Sequence, residues 1–352
     1  MPADAQKRIN LALQGGGSHG AFTWGVLDAL LEDGRLAFEG VSGTSAGAMN
    51  AVVLAHGLAR AQADGLQGAA ARQAARDALA RFWGSVGTMG TLVGGMILPP
   101  GAKSFMSLVG KMFSPAQTNP LGLNPLLALL KREVDFDLLR QYPDTRVFVC
   151  ATNVNTGRGA IFSGARLSAD AVMASACLPM LFQTVVIDGQ PYWDGGYSGN
   201  PAIYPLIYDT QSSDVLLVQI NPVEAAFDTS ASAQEIMERM NEITFNSSLL
   251  AEMRAIAFVR RLLDDNKLDP KRYKRVLLHR IDGGSVLSGF GASSKQRADT
   301  RFLQELFALG RQAGAAWLRR HCGDVGERDS AEIADSADPM ADEATDEDAK
   351  PA

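Results

Sequence analysis

The chain has 352 residues, 46% hydrophobic and 20% charged, enough for one large α/β domain or two ordinary ones. Its three cysteines, Cys150, Cys177 and Cys322, are too widely spaced for a disulfide framework or a zinc site, and no period of 20–50 residues marks a repeat fold. The net charge of −6 is uneven: residues 323–352 carry −9 and the other 322 carry +3, with no basic stripe interleaved with aromatics to bind nucleic acid.

Met1–Asn10 is polar without an apolar core, so it does not read as a signal peptide, and no uninterrupted apolar run is long enough to span a bilayer. With reduced thiols, the expected location is cytoplasmic. Ile9–Leu13 reads as a strand. The glycine run Gly15-Gly16-Gly17-Ser18-His19-Gly20 follows, and then Ala21–Leu31, apolar at helical spacing and stopped by Gly34. Phe38–Val41 can be the next strand. It leads into Gly43-Thr44-Ser45-Ala46-Gly47 and a helix over Ala46–Leu58. Gly-x-Ser-x-Gly lets a serine occupy a sharp strand-to-helix turn, because its glycines leave room for a strained backbone. A right-handed crossover makes the two strands parallel neighbours. Both loops then leave the carboxyl ends of their strands, where open α/β sheets place their sites. Ser45 is the candidate nucleophile, and Gly15, Gly16 and Gly17 can turn backbone N–H groups toward it as an oxyanion hole.

Ala61–Trp83 is alanine-rich and reads as a surface helix. Gly84–Gln117 combines methionines, phenylalanines and glycines with only Lys103 and Lys111 as charges. It suits a lid or membrane-facing insert over 84–123, or an ordinary buried subdomain. Asn124–Arg132 is a short helix, Arg146–Thr152 and Ala160–Ser163 are strands around a turn at Asn155–Gly159, and Ser168–Cys177 is a helix stopped by Pro179. Phe182–Ile187 and Gln190–Trp193 flank Asp188-Gly189, a hairpin signal. Asp214–Ile220 reads as a buried strand and Ala233–Leu263 as a long amphipathic helix or a broken pair. Arg275–Ile281 is another strand, and Ser294–Arg320 a closing helix with Ser294 near its cap. This alternation predicts a mostly parallel central sheet covered on both faces, a three-layer α/β/α fold. Residues 323–352, acidic and without aromatics, are expected to be disordered, as a solubility tail or a partner-binding segment.

An acyl-transfer serine needs a base. Of the four histidines, His56 follows the elbow in its helix and should point away, and His321 looks like solvated charge at a helix end. His279 satisfies the order Ser…Asp…His but lies within a strand. Asp194, in Trp193-Asp194-Gly195-Gly196-Tyr197, is the alternative base or a plain turn residue.

Three ordered motifs, Gly15–Gly20, Gly43–Gly47 and Asp194-Gly195-Gly196, resemble the patatin-like phospholipase family. The similarity extends over most of Ile9 to Ile220 and includes Ala174-Ser175-Ala176-Cys177-Leu178-Pro179. It implies a three-layer α/β fold, lipid acyl hydrolase activity and a Ser45–Asp194 dyad without histidine, with Gly15, Gly16 and Gly17 as the oxyanion loop. Gly20, Gly43, Gly47, Gly195 and Gly196 match motif glycines. The family usually carries Arg or Lys where this chain has His19. That histidine would be only partly charged near pH 7, an auxiliary group for the loop or an anionic substrate. The segment from Ala233 onward resembles a bacterial subgroup. The implied organisation is an extension over 1–8, a catalytic domain over 9–220, and a part over 221–322 completing the domain.

No clustered ligand set calls for a metal, and no cofactor is implied. The expected partner is a phospholipid or lysophospholipid, met in transient contact with a membrane surface, with peripheral association at the inner face as one form of it. The alternatives are an esterase acting on storage lipid or polyester oligomers, and a lipid-binding scaffold without turnover.

Overall fold

The computed structural model describes residues 6–94, 124–224 and 232–331. Eight strands form one sheet: β1 Lys7–Leu13, β2 Leu36–Gly43, β3 Arg146–Asn153, β4 Gly159–Phe162, β5 Val185–Ile187, β6 Gln190–Asp194, β7 Asp214–Gln219 and β8 Leu277–Asp282. The order β3-β2-β1-β7-β8 is parallel throughout, while β4 and β6 pair antiparallel with β3, and β5 pairs antiparallel with β6.

The helices are α1 Gly20–Asp33, α2 Ala46–Ala63, α3 Gly68–Gly94, α4 Pro125–Glu133, α5 Phe136–Gln141, α6 Ala169–Ser175, α7 Tyr204–Tyr208, α8 Ala233–Asp264, α9 Gly284–Leu287 and α10 Thr300–His321. Alternation along the strands divides them into two layers. Ile9, Leu11 and Leu13 of β1, with Leu216 and Val218 of β7, join the core under α1, α2, α3 and α10. Ala12, Val215 and Leu217 face the other way, onto Leu206 of α7 and Leu249, Met253 and Ile256 of α8. The three-layer α/β/α architecture is therefore observed.

The sheet contains one junction on which the site depends. Val149 of β3 pairs with Gly43 of β2 on one edge and Phe162 of β4 on the other. Two residues later, Ala151 pairs with Ala160 of β4 and with Asp194 of β6. Strand β6 thus takes over the edge of β3 where β2 ends. It runs the opposite way, so its last residue arrives beside the first residues after β2.

Several boundaries differ from those read in the sequence. The second helix continues to Ala63, and α3 starts only at Gly68, after a turn with Gly65 and Gly68 at positive φ. It is not merely a surface helix, because Ala75, Ala78, Leu79, Phe82 and Trp83 are buried. Residues 84–94 of the suspected lid continue α3, and 95–123 lie outside the described residues. α8 is a single helix, started by a capping box between Ser232 and Glu235. The closing helix is capped by Asp299, not by Ser294, which sits in a separate 3-10 turn over Ala292–Gln296.

The acidic segment is docked for its first nine residues. The Lys7 ammonium donates to the carbonyls of Cys322, Gly323 and Val325, Val325 is buried, and Asp329 accepts the Leu278 N–H at 2.8 Å. Specific backbone contacts of this kind are invisible in composition. Residues 332–352 lie outside the described residues. No described helix is long and apolar enough to cross a membrane.

Helices α1 and α10 cross at glycines. A Cβ on Gly310 would overlap the Phe22 carbonyl, and one on Gly25 the Phe307 carbonyl. Gly310→Ala should therefore destabilise the fold by about 1–3 kcal/mol. Gly84→Ala, in open space on α3, should stabilise it by up to about 1 kcal/mol. Urea denaturation of the two variants checks both signs.

Candidate active site

Ser45 stands between β2 and α2 with φ 55° and ψ −121°, a conformation that a non-glycine residue adopts only when its surroundings impose it. Those surroundings are backbone. A Cβ on Gly43 would overlap the Gly47 carbonyl, and one on Gly47 would overlap the Leu13 carbonyl at the end of β1. Two glycines let the elbow sink against the neighbouring strand. The Ser45 N–H is then caught by the Ser175 Oγ at 2.9 Å, and that hydroxyl donates to the Cys150 carbonyl at 2.5 Å.

Asp194 ends β6. Its N–H donates to the Cys177 carbonyl at 2.8 Å and its own carbonyl accepts the Thr152 hydroxyl at 2.8 Å. Oδ1 accepts the Gly196 N–H at 2.7 Å. Oδ2 is buried with no well-formed hydrogen bond, although the Ser45 hydroxyl lies close enough to favour the carboxylate. The Asp194 side of the turn is packed as tightly as the elbow: Gly195 meets the Cys150 carbonyl and Gly196 meets the Phe245 ring from α8. Burial pushes the Asp194 carboxyl up to about 7, against the opposing pull of Gly196 N–H and Ser45.

The glycine loop is anchored through one residue, Gly15. The Gly15 N–H donates to Asn200 Oδ1 at 2.6 Å, and its carbonyl accepts from Asn221 Nδ2 at 2.7 Å. Gln14 Oε1 accepts the N–H groups of Ile220 and Asn221, both at 2.8 Å, and its Nε2 donates to Asn246 Oδ1 at 2.9 Å. This corrects the expectation for Gly15, whose N–H is already committed. Gly16 and Gly17 face the cavity, and their N–H groups meet no acceptor among the described residues. Asn200 and Asn221 each precede a proline, and nothing local distinguishes them from turn residues. Their role appears only when the segments after β6 and β7 come together at the end of β1, beside Gly15.

His19 is also corrected. It is buried, with Nε2 2.7 Å from the Ser294 Oγ, and that hydroxyl donates to the Gly291 carbonyl, so the ring nitrogen is the donor. Desolvation, reinforced by nearby Lys295, lowers its pKa to about 4. His19 is neutral at pH 7, not partly charged.

His279 is remote from this chemistry. Its Nε2 is 3.0 Å from Asp214 Oδ1, at the start of β7, and its Nδ1 2.9 Å from the Ser330 Oγ. His56 is buried with both ring nitrogens unpaired, and His321 pairs with Asp324. All three cysteines are buried free thiols. No group of three or more metal-ligating side chains occurs among the described residues.

Ser45, Asp194, Gly16 and Gly17 line one cavity of about 450 Å³. Its walls are apolar, with Met49, Phe82, Trp83, Val86, Leu178, Leu181, Phe182 and Phe245, and one end is polar, with Asn241, Glu242, Lys295 and Gln296. A larger hollow of about 560 Å³ lies around Arg8, Glu39 and Asp214. The carboxylate oxygens of Glu39 there are taken by the N–H groups of Gln211 and Ser212, and the hollow has no activated nucleophile.

A patatin-like phospholipase family model matches residues 11–207, more than half of the chain. The chain belongs to the patatin-like phospholipase family. Membership places it among lipid acyl hydrolases, and the matched segment spans the elbow, the glycine loop and Asp194. Lys295, Glu242 and the His19–Ser294 pair depend on elements beyond it. No curated protein matches the sequence. Among solved structures, the chain is similar to VipD from Legionella pneumophila, at 15% identity and a TM-score of 0.35, over 87% of this chain and 67% of that one. It is also similar to a chain of the heterodimeric ExoU–SpcU complex from the type III secretion system of Pseudomonas aeruginosa, at 15% identity and a TM-score of 0.30, over 88% of this chain and 53% of that one. This patatin-like chain thus spans about half the length of the latter.

The raised Asp194 carboxyl has a consequence for stability. Its folded pKa of about 7 exceeds the unfolded value, so the unfolded state releases its proton first and stability falls as pH rises from about 4 to 7. Asn cannot ionise. Asp194→Asn should therefore gain stability over the wild type as pH rises, by up to about 4 kcal/mol at pH 8, and by little at pH 4. Denaturation of both proteins at the two pH values reads the difference. An equal difference at both would mean that the carboxyl is not held uncharged.

Proposed function

We propose that this protein is a serine hydrolase of carboxylic esters in phospholipids or lysophospholipids, working through an acyl-enzyme on a Ser45–Asp194 dyad. The observation that carries the reading is the pairing of a strained serine with a buried carboxyl of pKa about 7 in one apolar cavity. A carboxylate with an ordinary pKa is a weak base for a hydroxyl, and burial strengthens it.

In this mechanism Asp194 takes the Ser45 proton as Oγ attacks the ester carbonyl. The oxyanion is met by the N–H groups of Gly16 and Gly17 and by the N-terminal end of α2, which begins at Ala46. Protonated Asp194 gives its proton to the departing alcohol or lysolipid. Water, deprotonated by Asp194, then attacks the acyl-enzyme carbonyl, and Asp194 returns that proton to Ser45 Oγ as the ester bond breaks and the fatty acid leaves. Among the described groups, Asp194 is the base in reach, and the residues required number two.

Membrane-surface contact is supported by the cavity rim. Met180, Leu181 and Phe182 are exposed next to Leu178, and Met237, Met240 and Ile243 are exposed on the α8 turns that carry Glu242 and Phe245. Large apolar side chains around an opening suit insertion among acyl chains. Peripheral association with the membrane's inner face and the catalytic-domain limits 9–220 belong to the same reading.

Fluorophosphonate labelling with peptide mapping, followed by fatty-acid release from mixed phospholipids, tests it. Ser45→Ala should abolish labelling, and Ser45→Ala and Asp194→Asn should each lower turnover by at least about 10³-fold. Unlabelled, folded wild-type protein in detergent would favour the non-catalytic scaffold instead.

The dyad also sets the pH profile. Because Asp194 acts as a carboxylate, kcat/KM should rise about tenfold per pH unit below about 7 and level off above it. A profile flat from pH 5 to 8 would remove Asp194 from the role of base.

A further inference from the structure

The cavity has a charged end that acyl transfer does not use. Lys295 Nζ lies 3.0 Å from Glu242 Oε1, and Arg239 Nη1 lies 3.3 Å from Glu242 Oε2. Two cations share one carboxylate, so the cluster carries a formal charge of +1. Its side chains are only 20%, 21% and 12% exposed for Lys295, Arg239 and Glu242, so that charge is poorly hydrated. Glu242 is the one acceptor of the ammonium among the described residues. A lysine has three N–H donors, which leaves two for a ligand.

The position of this cation is fixed relative to the glycine loop. Lys295 sits in the 3-10 turn Ala292–Gln296, whose Lys295 carbonyl rests where a Cβ on Gly17 would be. The next contact along is the His19–Ser294 bond, buried at 2.7 Å. The turn is thus pinned at two points to the segment whose N–H groups flank Ser45. His19 stays neutral beside Lys295 and adds no second charge. Lys295, its partner Glu242 and Ser45 line the same cavity.

We propose that Lys295, oriented by Glu242 with Arg239 behind it, is an anion subsite that takes the phosphate of a phospholipid whose ester lies at Ser45. The inference deepens the hydrolase reading above and rests on it. A glycerophospholipid carries its phosphodiester and its acyl esters on one glycerol, so an anion must enter the cavity within a few bonds of the reacting carbonyl. An unpaired anion among apolar walls would be strongly disfavoured. One net positive charge with unused donors matches a phosphodiester monoanion. A neutral glyceride offers nothing to this end of the cavity. The competing account is that the Lys295–Glu242 pair only ties the turn to α8.

The two accounts predict different effects on substrate preference: a subsite changes the phospholipid-to-diacylglycerol ratio, and a structural tie does not. We would measure kcat/KM for phosphatidylglycerol and for diacylglycerol of the same acyl chains, in neutral detergent micelles, with the full chain. Lys295→Met should lower the phospholipid-to-diacylglycerol ratio by about 10–100-fold, the range of a lost charge-assisted contact, chiefly through KM. Lys295→Arg should restore most of it. Glu242→Gln frees the ammonium and should raise the ratio. If Lys295→Met and Glu242→Gln lower both substrates equally, the pair is a structural tie and the subsite is wrong. An unchanged ratio in Lys295→Met also overturns it.

Binding separates this from failure of the hydrolase reading. In the Ser45→Ala background, Trp83 fluorescence should report phosphatidylglycerol micelles binding about 10-fold or more weakly once Lys295 is Met. Loss of all turnover in the wild type would sink the hydrolase reading while this arm still tested the subsite. Binding indifferent to Lys295 would sink the subsite alone.

Discussion

The edge of β3 governs this structure. β2 and β6 cannot both pair along the whole of that edge, and each occupies half of it, meeting end to end from opposite directions. Ser45 stands two residues beyond the end of β2, and Asp194 is the last residue of β6. Their approach is therefore a property of sheet register. A shift of one residue in either pairing would turn every side chain of that strand to the other face and separate the pair.

Dense backbone packing supports the junction. Gly43, Gly47 and Gly195 each lie against a carbonyl with no room for a Cβ. The Thr44 hydroxyl donates to the Gly199 carbonyl at 2.6 Å and the Ser42 hydroxyl to the Ala202 carbonyl at 2.5 Å. These bonds tie the end of β2 to the segment after Asp194. The positive φ of Ser45 persists because its neighbours over-determine it. The same enclosure sets the electrostatics. Excluding water raises the Asp194 carboxyl to about 7 and lowers His19 to about 4. In each case the charged form is disfavoured, so one physical cause strengthens the base and silences the imidazole.

The short-range signals were legible in the sequence. Asp188-Gly189 is a two-residue turn with φ of 51° and 73°, as the hairpin signal required. The elbow and the glycine loop leave the ends of adjacent parallel strands, because a right-handed crossover permits little else. The boundaries that moved are those set by long-range contacts. Asp299 displaced Ser294 as the cap of α10 because Ser294 is held by His19. The first acidic residues after Cys322 are ordered because Lys7 gathers the carbonyls there.

By itself, then, the sequence determined the fold class, the order of its motifs and the residue types able to do acyl chemistry, since periodicity and glycine placement act through neighbours in the chain. Only the tertiary structure decided that Gly15 is clamped by Asn200 and Asn221, that His19 is neutral, and that Lys295 brings a cation to the cavity. Those outcomes depend on residues 185, 206 and 275 positions apart. Burial and hydrogen-bond partners are properties of the assembled layers, and no local pattern encodes which distant side chain will meet a given peptide.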